Sequence, residues 1–83
     1  MSTHDMDELV RGALHEIAPE ADLRGLAPAD DLRETLGLDS LDFLQLVEVL
    51  SERTGVRIDE DDYPRLDTLA GTVEFLTSAP QRS

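Results

Sequence analysis

The sequence predicts an all-α protein, a small four-helix bundle with three longer helices and one short third helix. Three segments repeat apolar side chains at the spacing of one helix face, and an alternating strand pattern is almost absent. The 83 residues are enough for one small domain, which we expect to occupy residues 1–83. Its ordered core should cover about 5–77, followed by a frayed tail at 78–83.

The first helix is predicted at residues 5–18. One face of this segment carries the apolar side chains Met6, Leu9, Val10, Ala13, Leu14 and Ile17. Acidic residues fill the first turn, where the helix dipole favours negative charge, and Pro19 ends the helix. Gly12 lowers the intrinsic stability of the helix, so we expect it to mark a close approach of another helix.

The connection at residues 19–37 is long for a compact domain. Connections of this length are usually functional or contain short turns of their own. Prolines and glycines interrupt it, and one turn of helix fits residues 30–35. Four leucines are expected to anchor it to the core: Leu23, Leu26, Leu32 and Leu36.

The second long helix is predicted at residues 40–54, and Gly55 suits the left-handed residue that would stop it. The side expected to face the core carries Phe43, Leu46, Val47 and Leu50. The opposite side carries Gln45, Glu48 and Glu52. Leu41 falls among these polar residues and Leu44 on their border, so neither leucine has an obvious place in the core.

A short third helix is predicted after the second long helix. Val56 and Ile58 are expected to fix the intervening segment to the core. Asp59 can cap the short helix, with further acidic residues in its first turn, and Pro64 keeps it from becoming long.

The last helix is predicted at residues 68–77. Either Asp67 or Thr68 can serve as its N-terminal cap. The pattern leaves the direction of Phe75 open, whereas three other side chains are expected to face inward: Leu69, Val73 and Leu76.

The composition is strongly acidic, with 7 basic residues, all arginine, against 19 acidic ones and a formal net charge of -12. A field of this sign repels nucleic acids and anionic membranes and favours partners with basic patches. The chain has no cysteine, no secretory signal pattern and no apolar run of membrane-spanning length. We therefore expect a cytoplasmic monomer with neither nucleic acid nor membrane as a partner.

The start of the second long helix carries the most specific local chemistry. Asp39 is placed to cap the helix, Asp42 is at the third helical position, and Ser40 is the first helical residue. A helix N-terminus presents unpaired N–H donors and partial positive charge. A phosphate carried by Ser40 would therefore be electrostatically favoured.

The stretch GLDSLD at residues 37–42 resembles the attachment motif of acyl carrier proteins. The resemblance covers most of the chain. The run DLRETL at 31–36 is similar to the approach to that motif, and GVRI at 55–58 is similar to the exit from the second helix of the family. Residues 68–77 look like its last helix.

This resemblance implies that Ser40 carries a covalent 4′-phosphopantetheine group derived from coenzyme A. A separate phosphopantetheinyl transferase would supply the catalysis, with Mg²⁺ near Asp39 during the transfer only. The thiol of the arm would hold acyl groups as thioesters for enzymes of fatty-acid, polyketide or related biosynthesis. The chain would then be a carrier without catalytic residues, whose arm moves cargo between active sites or folds it into the bundle.

The resemblance also implies a docking surface beside Ser40 for acyl-loading and acyl-processing enzymes with basic patches. Its expected residues are Asp39, Leu41, Asp42, Leu44, Gln45 and Glu48, and Glu52 extends it. Gln45 replaces an acid that is common in fatty-acid carriers, and Glu48 replaces an apolar contact. These departures predict a specialised carrier.

Other interpretations of the same residues remain. Ser40 can be an ordinary helix-start serine in an acidic helical adaptor that is never modified. The acids at 59–62 lack the spacing of a calcium-binding loop, and His4 and His15 are expected at the surface rather than in a metal site. A hydrolase triad is not favoured, because the chain has no nucleophile-elbow motif.

Overall fold

The computed structural model describes residues 3–79 and is built from four α-helices and two 3₁₀ helices. The α-helices are α1 (Thr3–Ile17), α2 (Leu32–Leu36), α3 (Ser40–Thr54) and α4 (Leu69–Ser78). The first 3₁₀ helix is Leu23–Gly25 and the second is Glu60–Leu66. The residues from 3 to 79 form no strand beyond one isolated bridge between Asp31 and Thr68. The predicted all-α bundle is confirmed.

One apolar core holds the helices together, and α1 lies against both α3 and α4. Every predicted inward side chain of α1 is buried or half-buried, as are the four predicted for α3. Phe75, whose direction the sequence left open, is buried along with the three predicted residues of α4. Val56 is buried and Ile58 is half-buried, so the prediction that they fix the segment after α3 is confirmed.

The helix boundaries follow local capping chemistry. Gly55 ends α3 with a φ of 71°, in the left-handed region that glycine adopts without steric cost. Thr68, rather than Asp67, caps α4, and its side chain accepts a hydrogen bond of 2.9 Å from the N–H of Gly71. Asp59 precedes the short third helix, which is a 3₁₀ helix with Pro64 inside it.

Gly12 was expected at a close helix approach, and that prediction is wrong. Gly12 is exposed, and the nearest atom to a Cβ built there is Nη1 of Arg53 at 4.0 Å. The tight approach occurs instead at Gly71 in α4. A Cβ there would lie 2.5 Å from the carbonyl oxygen of Arg65, so the start of α4 packs against the backbone of the second 3₁₀ helix.

Backbone hydrogen bonds tie the connection before α2 to the start of α4. The N–H of Leu32 donates to the carbonyl of Asp67 at 2.8 Å, and the N–H of Ala70 donates to the carbonyl of Pro28 at 2.8 Å. These bonds fix α2 relative to the rest of the bundle. The second half of the predicted 19–37 connection is therefore an ordered support for the start of α3.

Two further predictions concern the C-terminal tail and a membrane-spanning helix. Ser78 is the last residue of α4 and Ala79 its C-terminal cap, whereas the remainder of the predicted frayed tail, 80–83, lies outside the described residues. Between residues 3 and 79, no helix combines the length and the apolar character needed to cross a membrane.

Candidate functional site

Asp39 caps α3 as the sequence predicted. Its Oδ1 accepts a hydrogen bond of 2.8 Å from the N–H of Asp42, and Oδ2 of Asp42 accepts a longer one of 3.4 Å from the N–H of Asp39. The two carboxylates therefore form a reciprocal capping box, in which the short side chain of Asp42 makes the weaker contact. This arrangement fixes the first turn of α3.

Ser40 is the first residue of α3, and it is exposed. The chain reaches it through a tight turn after α2, where Gly37 has a φ of 69°. The N–H groups of Gly37 and Leu38 both donate to the carbonyl of Arg33, and Leu38 is buried. The backbone that leads to Ser40 is thus held on the α2 side by hydrogen bonds and by an apolar anchor.

Arg33 belongs to this site, although the sequence did not single it out. Its Nη2 lies 3.5 Å from Oγ of Ser40, a long contact for a hydrogen bond, and its Cζ lies 5.4 Å from the ring centroid of Phe43. A single arginine within the acidic run 30–34 is a sequence feature that could have marked Arg33 as a functional residue. Its position beside Ser40, however, depends on the turn at Gly37.

A surface groove of about 470 Å³ opens next to Ser40, between α3 and the second 3₁₀ helix. Phe43 and Tyr63 form part of its wall, and their rings meet edge to face with centroids 5.3 Å apart. The other lining residues are Arg33, Ser40, Leu44, Glu60, Pro64 and Asp67. The groove therefore joins an exposed hydroxyl, an aromatic wall and one cation.

The six predicted docking residues all lie in α3 or at its cap. Leu41 is 71% exposed and Leu44 is 44% exposed, and they are the large apolar side chains that the bundle leaves at its surface within residues 3–79. Gln45 and Glu48 are exposed, and Asp42 is half-buried within the capping box. At the rise of an α-helix, Glu48 lies about 12 Å along the axis from Ser40, so the six predicted residues are spread over about two turns.

The histidines do not contribute to this site. Both are exposed on α1, as predicted, and Nε2 of His4 lies 3.5 Å from Glu8 in the adjacent turn. In the part of the chain that is described, no group of three or more histidine, aspartate or glutamate side chains is arranged to hold a metal ion.

Comparison with known proteins identifies the family. The family model described as "Phosphopantetheine attachment site" matches residues 8–76 of the chain. An acyl carrier protein from Nitratidesulfovibrio vulgaris is 32% identical over 73 residues, which cover 88% of this chain and 83% of that protein. The chain belongs to the acyl carrier protein family.

Two further acyl carrier proteins match shorter segments of this family member. One, from Saccharopolyspora erythraea, is 39% identical over 45 residues, or 54% of this chain and 47% of that protein. The other, mitochondrial acyl carrier protein 2 from Arabidopsis thaliana, is 32% identical over 56 residues, or 68% of this chain and 44% of that protein. The matched segments span less than half the length of these two relatives.

Proposed function

We propose that this acyl carrier protein carries 4′-phosphopantetheine on Oγ of Ser40 and is itself a substrate rather than a catalyst. The observation that carries the proposal is the position of Ser40, exposed at the first position of a capped helix inside the region that the phosphopantetheine family model matches. An exposed hydroxyl can reach the active site of a separate transferase, whereas a core serine could not.

The local environment fits a phosphate ester. The N-terminus of a 15-residue helix presents partial positive charge to groups on Ser40, and Arg33 adds a full positive charge beside it. The adjacent groove offers apolar and aromatic surface along which a long arm can lie. These features support covalent attachment at this serine.

The transfer would form a bond between Oγ of Ser40 and the phosphorus of the pantetheine-bearing phosphate of coenzyme A. The pyrophosphate P–O bond breaks, the adenosine bisphosphate leaves with the electron pair, and the hydroxyl proton passes to a base of the transferase. Asp39 adjoins Ser40 in sequence, and its carboxylate would serve as a ligand for a Mg²⁺ ion supplied with the transferase.

The thiol of the bound arm would carry acyl groups as thioesters to fatty-acid, polyketide or related biosynthetic enzymes. Leu41 and Leu44 supply exposed apolar contact beside Ser40, and Glu48 supplies negative charge farther along α3. Partners with an apolar pocket rimmed by arginine or lysine fit this surface, since charge complementarity orients and accelerates encounter. Gln45 and Glu48 distinguish the surface from that of common fatty-acid carriers and support a specialised role.

Intact-mass measurement tests attachment directly. After incubation with coenzyme A, Mg²⁺ and a phosphopantetheinyl transferase of broad specificity, the wild-type chain should gain the mass of one phosphopantetheine. Ser40→Ala should gain nothing, because the variant lacks the nucleophilic oxygen. Ser78→Ala is the matched control, since Ser78 is another exposed helical serine and its loss should leave the gain intact.

Two results would contradict the proposal in different ways. A mass gain that persists in Ser40→Ala would place the attachment on another residue. A wild-type chain that several transferases all leave unmodified would favour the other function considered, an acidic helical adaptor that docks on a basic partner without modification.

A further inference from the structure

Most arginines of this acidic protein are neutralised by a neighbouring carboxylate. Four of the six arginines in residues 3–79 make such ion pairs, namely Arg11 with Asp7, Arg24 with Asp22, Arg53 with Glu16, and Arg57 with Asp59. Arg33 and Arg65 make none within that part of the chain. With 19 acidic residues against 7 basic ones, an arginine without a carboxylate partner is an exception here.

The two exceptions share one structural feature, since each guanidinium lies over an aromatic ring. Arg33 lies 5.4 Å from the ring centroid of Phe43, and Arg65 lies 4.9 Å from that of Phe75. Both distances allow a cation–π interaction, which leaves the N–H groups of the guanidinium edge available to an anion. Only Arg33 has its guanidinium in contact with Ser40.

The backbone of α2 fixes Arg33 in this position. Asp31 caps α2, and its Oδ1 accepts a hydrogen bond of 2.9 Å from the N–H of Glu34. The carbonyl of Arg33 accepts the N–H groups of Gly37 and Leu38, which close the turn into α3. The base of the side chain is therefore rigidly held relative to Ser40, which reduces the entropy lost when its guanidinium binds a ligand.

We propose that Arg33 is a positioning residue that binds the phosphodiester joining the phosphopantetheine arm to Ser40. The inference rests on the proposed attachment at Ser40. A phosphate on Oγ places its unesterified oxygens one bond beyond the phosphorus, within reach of Nη2, which lies 3.5 Å from Oγ in the unmodified chain. Guanidinium groups match the geometry of phosphate oxygens and form short, charge-assisted hydrogen bonds with them.

The surrounding charges make this contact necessary for an ordered phosphate. Asp39 and Asp42 flank Ser40, so a phosphodiester enters a region that already carries two carboxylates. Arg33 offsets that repulsion on the side of Ser40 that faces the groove. The start of the arm is thereby held next to the groove rather than directed away from the bundle.

Nuclear magnetic resonance on the modified protein tests this contact. The chain is first modified with coenzyme A and a transferase, and the modification is verified by intact mass. The Nε–Hε resonance of Arg33 should shift between the unmodified and modified forms, and that of Arg65 should stay in place. Arg65 is a matched control because it too lies over a ring and lacks an ion pair within residues 3–79.

The phosphorus-31 resonance gives a second readout, which a purely structural role for Arg33 would leave unmoved. In modified Arg33→Gln the phosphodiester signal should move from the wild-type position towards that of the modified wild-type chain unfolded in urea. In modified Arg65→Gln it should remain at the wild-type position. Raising the salt concentration from about 0.1 M to about 1 M, which shortens the Debye length from about 10 Å to about 3 Å, should shift the wild-type signal more than that of Arg33→Gln.

The outcomes separate this inference from the function it depends on. If the wild-type chain takes up no phosphopantetheine, both the proposed attachment and the proposed Arg33 contact are overturned. The phosphate contact is overturned if modification of the wild type leaves the Arg33 resonance in place and Arg33→Gln leaves the phosphorus signal in place. The attachment at Ser40 would still stand. If Arg33→Gln does not fold, as judged by circular dichroism, the shift of the Arg33 signal in the wild type decides the question without a variant.

Discussion

Helices α1 and α3 have the same length, 15 residues each, and they use their apolar residues differently. Every large apolar side chain of α1 is buried or half-buried. In α3 the same is true from Leu46 onwards, but the first two turns leave Leu41 71% exposed and Leu44 44% exposed. The difference is confined to the end of α3 that begins at Ser40.

This contrast indicates that the start of α3 is not shaped by the core alone. Burying a leucine side chain is worth about 1.5–3 kcal/mol, so leaving two at the surface forgoes a contribution that the buried side chains of α1 make. A partner that covers Leu41 and Leu44 would recover part of it. A single exposed leucine needs no such explanation, but two on adjacent turns beside the candidate attachment serine fit a contact surface.

The largest expected effect tests whether the buried parts of α1 and α3 are equivalent. Leu14→Ala in α1 and Leu46→Ala in α3 each remove a fully buried side chain, so each should lower the free energy of unfolding by about 2–5 kcal/mol. Urea unfolding monitored by circular dichroism measures both. A small loss for Leu46→Ala alone would mean that α3 packs less tightly than α1 throughout, and not only at its start.

A smaller effect is expected at the cap of α3. Asp39→Ala removes the acceptor for the N–H of Asp42 and should lower the free energy of unfolding by about 0.5–2 kcal/mol. Glu48→Ala is the control, because Glu48 is exposed and forms no ion pair within residues 3–79. Equal losses for the two variants in the same urea experiment would show that the capping box contributes little.

Leu41→Ala should change the free energy of unfolding by no more than about 0.5 kcal/mol, because its side chain has little contact with the core. It should nevertheless lower kcat/KM for the transfer of phosphopantetheine, because it removes apolar contact with the transferase. Glu74→Ala is the control for transfer, because Glu74 is exposed on α4 and lies outside the proposed docking surface. A large loss of stability in Leu41→Ala would show that this leucine belongs to the core after all.

The smallest effect concerns the charges on the two helices. The rate of association with a transferase should fall as salt screens the acidic surface. Glu48→Gln on α3 should weaken this salt dependence more than Glu8→Gln on α1, since only α3 carries the proposed docking surface. Stopped-flow measurements at several salt concentrations compare them, and equal responses would indicate steering by net charge without a localised surface.

Much of the fold could be predicted because helix bounds and caps depend on interactions between residues close together in sequence. The bounds of α3 at 40–54, its cap at Asp39 and its left-handed stop at Gly55 all follow from neighbouring side chains and from the steric freedom of glycine. The ends of α1 and α4 differ from the predicted ends by one or two residues, as expected where first and last turns fray.

The errors and omissions all involve contacts between segments that are distant in sequence or separated by a turn. The close approach expected at Gly12 lies at Gly71, because only the packing of α4 on the second 3₁₀ helix decides which glycine meets another backbone. Phe75 could not be placed by periodicity alone. Arg33 was missed because its contact with Ser40 depends on the angle that the turn at Gly37 sets between α2 and α3.

The sequence by itself determined the helical class, the extent and cap of α3, and the exposed serine and leucines at its start. These properties depend on side-chain spacing and on hydrogen bonds between residues at most four apart. The tertiary structure alone decided that a guanidinium lies beside that serine and that Phe43 and Tyr63 wall the adjacent groove. Such contacts depend on how whole elements pack, and the backbone bonds from the loop before α2 to the start of α4 fix that packing here.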